Sequence, residues 1–280
     1  MGLEIAHLAR RIIVILATVY VLLGAALFIA QRRLIFFPNR DVSLAPDYFG
    51  VKYEDIFIEV HDAEGGKLNA WWAPTEVPNS KAIILFHGNA ESISGLAKQT
   101  QRFHQLGCAV LAVEYRGYGH STGGLPSEAS VYADAEAAWN YLVGQRGVQP
   151  RNIYIYGHSL GGAVAMDLAA KHPDAAGVIL ESTFTSAADL GRRLTLFRVF
   201  PLRLLVTQRF DSLHKAPRLK IPVLVIHGDA DPVIPYAVGR DLYAAAPQPK
   251  RFFTVPGGDH DHIAEIGGAA YLQALREFIH

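Results

Sequence analysis

The stretch Gly157-His158-Ser159-Leu160-Gly161-Gly162 sets a serine between two glycines in the pattern G-x-S-x-G. It directly follows the apolar run Ile153-Tyr154-Ile155-Tyr156 and directly precedes the small, apolar stretch Leu160 to Lys171. A strand running into a helix through such a turn lifts the serine Oγ clear of the strand. Gly157 and Gly161 leave room where side chains would collide with neighbouring backbone. A helix starting at Leu160 aims N–H groups and the positive end of its dipole at the same point. This is equipment for nucleophilic attack on an acyl carbonyl. The plain alternative is a glycine-rich turn with an incidental serine.

A hydroxyl needs a base. Of the 12 histidines, His260 lies in Pro256-Gly257-Gly258-Asp259-His260-Asp261-His262, just after the last expected strand, where a glycine turn can bring an imidazole back over Ser159. His262 is the competitor; His87, His158 and His227 read as local hydrogen-bonding or packing residues. The base needs a carboxylate that orients it and stabilises the imidazolium. His227-Gly228-Asp229-Ala230-Asp231-Pro232 offers Asp229 and Asp231, which the spacing alone separates only weakly. An oxyanion needs backbone donors. The loop Phe86-His87-Gly88-Asn89-Ala90-Glu91 can supply the N–H of Asn89 opposite that of Leu160, if the fold brings them together. This chemistry requires no metal and no organic cofactor. The single cysteine, Cys108, sits in an apolar run and reads as a buried hydrophobe.

The elements that must position these residues alternate between strand and helix. Tyr53–Val60 and Lys67–Ala73, joined through Gly65-Gly66, read as an antiparallel pair at a sheet edge. Continuous apolar runs follow at Ala82–Phe86, Ala109–Val113, Ile153–Tyr156, Gly177–Leu180, Val223–Ile226 and Phe252–Val255. Such runs suit parallel strands buried on both faces. Helical stretches at Ser127–Val143, Leu160–Lys171, Pro235–Ala246 and Ile263–Phe278 give a doubly wound, mostly parallel eight-stranded sheet flanked by helices. The interval from about Phe184 to Lys220 breaks the rhythm and reads as a short helical cap rich in arginine. Arg116, in Tyr115-Arg116-Gly117-Tyr118-Gly119, reads as a loop anchor held by ion pairing.

The 26 basic and 26 acidic residues balance, which argues against nucleic acid as a partner. Ile12 to Ala30 carries no charge and is bracketed by Arg10-Arg11 and Arg32-Arg33. As a helix it would reach roughly 28 Å, close to the hydrocarbon thickness of a bilayer. We read residues 1–33 as a single-pass membrane anchor and residues 34–280 as the catalytic domain, with a linker from Gln31 to about Gly50. A cleaved signal, with Gly24-Ala25-Ala26 at its cleavage site, is the alternative. The orientation taken is N-terminus in the cytoplasm and catalytic domain outside.

From Gln31 to His280 these features together resemble the α/β-hydrolase superfamily, in its membrane-anchored branch similar to serine-aminopeptidase-like and palmitoyl-thioesterase-like hydrolases. The marks are Gln31-Arg32-Arg33-Leu34-Ile35-Phe36-Phe37-Pro38, His87-Gly88-Asn89-Ala90, Tyr115-Arg116-Gly117-Tyr118-Gly119, the Ser159 turn, Arg209-Phe210-Asp211-Ser212-Leu213 and His227-Gly228-x-x-Asp231. The resemblance implies Asp231 as the triad acid, His260 as the base, and the chain order Ser159, Asp231, His260. Relatives that remove palmitoyl groups carry an N-terminal cysteine cluster; this chain has none there. The expected activity is hydrolysis of a carboxylic ester or related acyl bond on a small-molecule or lipid-like substrate. A thioesterase, a serine-aminopeptidase-like amide hydrolase and a non-catalytic membrane-tethered binding module are the alternatives.

Overall fold

In the computed structural model, residues 2–193 and 197–280 are described. The chain begins with one long helix, α1 (Gly2–Ile35), followed by strands β1 (Glu54–Glu59), β2 (Lys67–Ala73) and β3 (Ala82–Phe86). Helix α2 (Ala97–Gln105) leads to β4 (Ala109–Val113), and α3 (Glu128–Asn140) to β5 (Ile153–His158). After α4 (Leu160–Lys171) and β6 (Gly177–Glu181) come three short helices, α5 (Ala187–Arg193), α6 (Leu202–Leu205) and α7 (Ser212–Lys215). The chain closes with β7 (Val223–Gly228), α8 (Tyr236–Ala245), β8 (Lys250–Val255) and α9 (Ile263–Ile279), the last broken at Gly268.

The eight strands form one sheet in the order β1-β2-β4-β3-β5-β6-β7-β8. β2 runs antiparallel to both its neighbours and the remaining pairs are parallel, so the sheet is mixed, with the antiparallel strand near one edge. Alternate residues of the central strands feed two cores. Ile84 and Phe86 face α3, α4 and α8, whereas Ile83 and Leu85 face α2 and α9. Burial on both faces explains why these strands carry apolar runs rather than alternating ones. Ser127 caps α3 through a reciprocal pair of bonds with Ser130. Cys108 is buried, and burial pushes its thiol up to about 12.

Two features depart from the sequence reading. Helix α2 was not anticipated. Its residues are mostly polar, and its buried face includes Gln99 and Thr100. The Gln99 side chain is satisfied inside the protein, donating to the Tyr271 hydroxyl at 2.9 Å. The stretch expected to open a linker at Gln31 instead continues α1 without a break to Ile35. Its last turns are fixed to the rest of the chain: the Gln31 Oε1 accepts from the amides of Thr207 and Gln208, and Arg32 donates to the carbonyls of Leu125 and Pro126. Between Phe184 and Lys220, the expected cap holds α5, α6 and α7; its residues 194–196 lie outside the described residues.

Candidate active site

Strand β5 ends at His158 and α4 begins at Leu160, so Ser159 is the single residue between them. Its backbone is held at φ 52°, ψ −116°, a region that a serine adopts at a cost of order 1–3 kcal/mol. The surroundings hold it there. The Ser159 N–H donates to the Glu181 carbonyl at 3.0 Å, and its own carbonyl accepts from the Thr183 hydroxyl at 2.7 Å. The turn is also too tight for side chains. A Cβ on Gly157 would lie 2.0 Å from the Gly161 carbonyl oxygen, and one on Gly161 would lie 2.2 Å from that of Phe86.

The three residues expected to act together meet. His260 Nε2 is 3.1 Å from Ser159 Oγ, and His260 Nδ1 is 2.8 Å from Asp231 Oδ2. The other oxygen of Asp231 accepts from the amides of Val233 and Ile234, each at 2.8 Å. Burial alone would raise this carboxyl's pKa. Hydrogen bonds from His227, His260 and the Ile234 amide outweigh it and hold the group well below the usual carboxylate range. The competitors fall elsewhere. Asp229 accepts from the Gly257 amide at 2.7 Å, bracing the turn that carries His260. His262 is exposed and pairs with Asp259 at 3.0 Å.

Asn89, Leu160 and Ser159 line the same cavity, of about 420 Å³. The Asn89 peptide is fixed from several sides. Its carbonyl accepts from the Tyr118 hydroxyl and the Phe37 amide, and its side chain donates to the Ile35 carbonyl at 2.9 Å. Arg116 serves as the anchor expected of it, reaching Asp134 at 2.5 Å and Asp62 at 2.6 Å.

Three further features come from the structure; His158 and His87 are local hydrogen-bonding residues, as the sequence reading has them, and their carboxylate partners are new. One is an ion pair at the residue before Ser159: His158 Nδ1 lies 3.5 Å from Glu91, while His158 Nε2 donates to the His260 carbonyl at 3.0 Å. Burial works against charge on the His158 ring, but Glu91 prevails and raises its pKa to about 9; Glu91 is correspondingly lowered to about 2. The second is His87, which contacts Glu114 at 2.7 Å and whose pKa is raised against the cost of burial by that carboxylate. The third is α1 itself: Leu27, Gln31, Leu34 and Ile35 form part of the wall of the Ser159 cavity. His158, His260 and Asp261 offer ligand atoms within 4.8 Å of one another. Both His260 nitrogens are already engaged by Asp231 and Ser159, so a cation there would have to withdraw the ring from that chain of bonds.

Comparison with known proteins agrees with this architecture. The model of the family "Serine aminopeptidase, S33" matches residues 78–212 and 202–267. An uncharacterized Mycobacterium tuberculosis protein, Rv2307c, is 38% identical over 259 residues, covering 91% of this chain and 90% of its own. The human alpha/beta hydrolase domain-containing protein 17B is 35% identical over 212 residues, covering 72% of this chain and 67% of its own. Among solved structures, the Pyrococcus furiosus esterase Pf2001 superposes with a TM-score of 0.73 at 19% identity, over 88% of this chain and 98% of that one. That identity speaks to the fold alone. The family match spans well over half the residues, and the relatives share more than a third of the aligned positions, so the chain belongs to the serine aminopeptidase S33 family of hydrolases within the α/β-hydrolase superfamily.

Proposed function

We propose that the chain is a serine hydrolase that cleaves a carboxylic ester through an acyl-serine intermediate. Ser159 Oγ attacks the acyl carbonyl while His260 Nε2 takes its proton. Asp231 holds the imidazole in the required tautomer and balances the imidazolium. The amides of Asn89 and Leu160 stabilise the tetrahedral oxyanion. The C–O bond to the leaving group then breaks, and His260 returns the proton to the departing alkoxide. Water, activated by the same histidine, hydrolyses the acyl-serine to release the acid and restore the hydroxyl. The observation that carries this reading is the unbroken Ser159–His260–Asp231 chain of contacts at 3.1 and 2.8 Å.

The test is labelling by a fluorophosphonate, which phosphonylates an activated serine. Wild type is expected to be labelled and Ser159→Ala to be spared, with turnover falling by several orders of magnitude. Equal labelling of both proteins would refute the assignment. Thioester and amide substrates use the same triad, so profiling p-nitrophenyl esters against acyl thioesters and peptide amides decides the bond.

The helix Leu3–Ile35 holds an 18-residue window with a mean hydropathy of 2.9 and is long and apolar enough to cross a membrane. In this reading residues 1–33 tether a domain of residues 34–280, capped by residues 184–220, on the extracytoplasmic side. Reporter fusions at each terminus test the topology.

A further inference from the structure

We infer that the Ser159 cavity takes the acyl chain of a membrane amphiphile directly from one bilayer leaflet, between α1 and the cap, with the cap tip immersed in that leaflet. This rests on the serine-hydrolase reading and names its substrate class.

The first argument is how α1 meets the cap. Tyr20, Gly24, Leu27 and Gln31 recur every three or four residues and so share one helix face. The Tyr20 ring stacks on Phe200 at 5.0 Å, and its hydroxyl donates to the Val199 carbonyl at 2.8 Å. A Cβ on Gly24 would touch Leu205 and Phe200 at 3.9 and 4.0 Å. Leu27 and Leu34 then continue along the wall of the Ser159 cavity, which Leu190, Leu202 and Val206 also line. The wall is mostly apolar, interrupted on α1 by Gln31, and its other polar members include Asn89, Ser159 and His260, which suits an acyl chain with a scissile ester at its end. The cavity's 420 Å³ falls within the range of roughly 300–1,000 Å³ usual for small-molecule sites.

The second argument is depth. From Tyr20 to Ala30 a helix rises roughly 15 Å, about half of a hydrocarbon core of roughly 30 Å. An anchor crossing the bilayer through Ile12–Ala30 therefore places the residues packed on Tyr20 and Gly24 well below the headgroups. The cap tip is built for that position. Val199 and Leu204 are 66% and 81% exposed, as is Ile29 of α1 at 81%. Around them Arg192, Arg193, Arg198 and Arg203 are also exposed; Asp189 engages Arg192 at 2.5 Å and Arg203 at 3.6 Å, which leaves an excess of positive charge for the lipid phosphates on side chains whose stems can lie in the apolar layer. Arg32, by contrast, is turned into the domain on the carbonyls of Leu125 and Pro126.

Two measurements on the full chain in phospholipid vesicles test this. In the first, Ser159 is labelled by fluorophosphonates bearing an ethyl or a dodecyl chain. The long probe is expected to react at least about tenfold faster, because its extra methylenes are buried in the cavity. Leu27→Trp, which fills the chain path, is expected to lower that rate ratio about tenfold. In the second, a fluorophore on Leu204→Cys is exposed to lipids brominated along their acyl chains, with Phe28→Cys as the reference for the apolar helix surface. Comparable quenching at both positions is expected. Equal rates for the two probes, or a ratio untouched by Leu27→Trp, would overturn the acyl-chain site while leaving the serine assignment standing. Quenching at position 204 by aqueous iodide alone would overturn the immersion of the cap. Failure of both probes on wild type would remove the serine reading, and this inference with it.

Discussion

Glu91→Gln isolates the ion pair between Glu91 and His158, the residue before Ser159. The substitution keeps the shape of the side chain and removes its charge. His158 is only 8% exposed and its ring titrates at about 9 rather than 6.5, because Glu91 more than offsets the cost of burying a charged ring. At roughly 1.4 kcal/mol per tenfold change in proton affinity, that difference corresponds to about 3 kcal/mol of folding free energy. The folded-state value lies above the unfolded one, so the contribution is complete below pH ~6.5 and is lost as pH rises through about 9. Glu91, lowered from 4.5 to about 2, reports the same pair and is not added again. Without the Glu91 carboxylate, burial is opposed only by the charge of Glu181 and the bond to the His260 carbonyl, and most of the contribution disappears. Wild type is therefore expected to exceed Glu91→Gln by about 3 kcal/mol at pH 6, and the two stabilities should converge above pH 9. The check is urea unfolding of the detergent-solubilised chain at a series of pH values, followed through Trp71, Trp72 and Trp139, all buried in the hydrolase core. Taking the difference between the two proteins cancels the titration of every group they share. Parallel curves with no pH-dependent gap would refute the reasoning.

Two further perturbations address the triad and its turn. Asp231→Asn keeps an acceptor for the Val233 and Ile234 amides but turns an NH2 toward His260 Nδ1, which favours the tautomer with its proton on Nε2, facing Ser159. The turnover number on a p-nitrophenyl ester is expected to fall about 10⁴-fold, about 5 kcal/mol of activation free energy, and a loss below tenfold would exclude the orienting role. Gly161→Ala forces a Cβ to within 2.2 Å of the Phe86 carbonyl oxygen, whereas a Cβ on Gly144 meets nothing within 4 Å. Thermal unfolding should therefore show Gly161→Ala destabilised by ~3 kcal/mol or more and Gly144→Ala unchanged or stabilised by up to ~1 kcal/mol; similar melting temperatures would contradict the steric account.

The strands were legible because burial on both faces leaves a signature that needs no partner to interpret. β3 and β4 are unbroken apolar runs, and their limits in the structure match those read from the sequence. Ser159 was legible for a different reason: the two flanking glycines record close approaches that no other residue allows. His260 followed from its place after the last strand. Spacing separates Asp229 and Asp231 only weakly, since both lie on one short loop and both bear carboxylates. What separates them is direction, with Asp231 turned inward to His260 and Asp229 turned to the Gly257 amide. Resemblance to a family could make that choice; loop composition could not. The Glu91–His158 pair was hidden because its members lie 67 residues apart, one on the loop after β3 and the other at the end of β5, brought together by the parallel pairing of those strands.

The hardest feature to read was α1, for a physical reason. Periodicity reveals which face of a helix is buried when the opposite face is polar. A helix apolar all round carries no such contrast, so Ile12–Ala30 gave a length and a hydropathy but no direction. The remaining signal lay in the few residues that depart from a uniform apolar surface. Tyr20 keeps a hydroxyl, Gly24 has no side chain, and Gln31 places an amide at the end of the run. Each finds its purpose in the cap: a carbonyl for Tyr20, a close contact with Phe200 and Leu205 at Gly24, and two amides for Gln31. Departures from uniformity that recur on one face of an apolar helix therefore point to a protein surface rather than to lipid. By that argument, and on the membrane-anchored reading proposed above, residues 20–35 serve both the tether and the wall of the cavity. A change on that face would disturb hydrolysis even where the membrane attachment it belongs to survives intact.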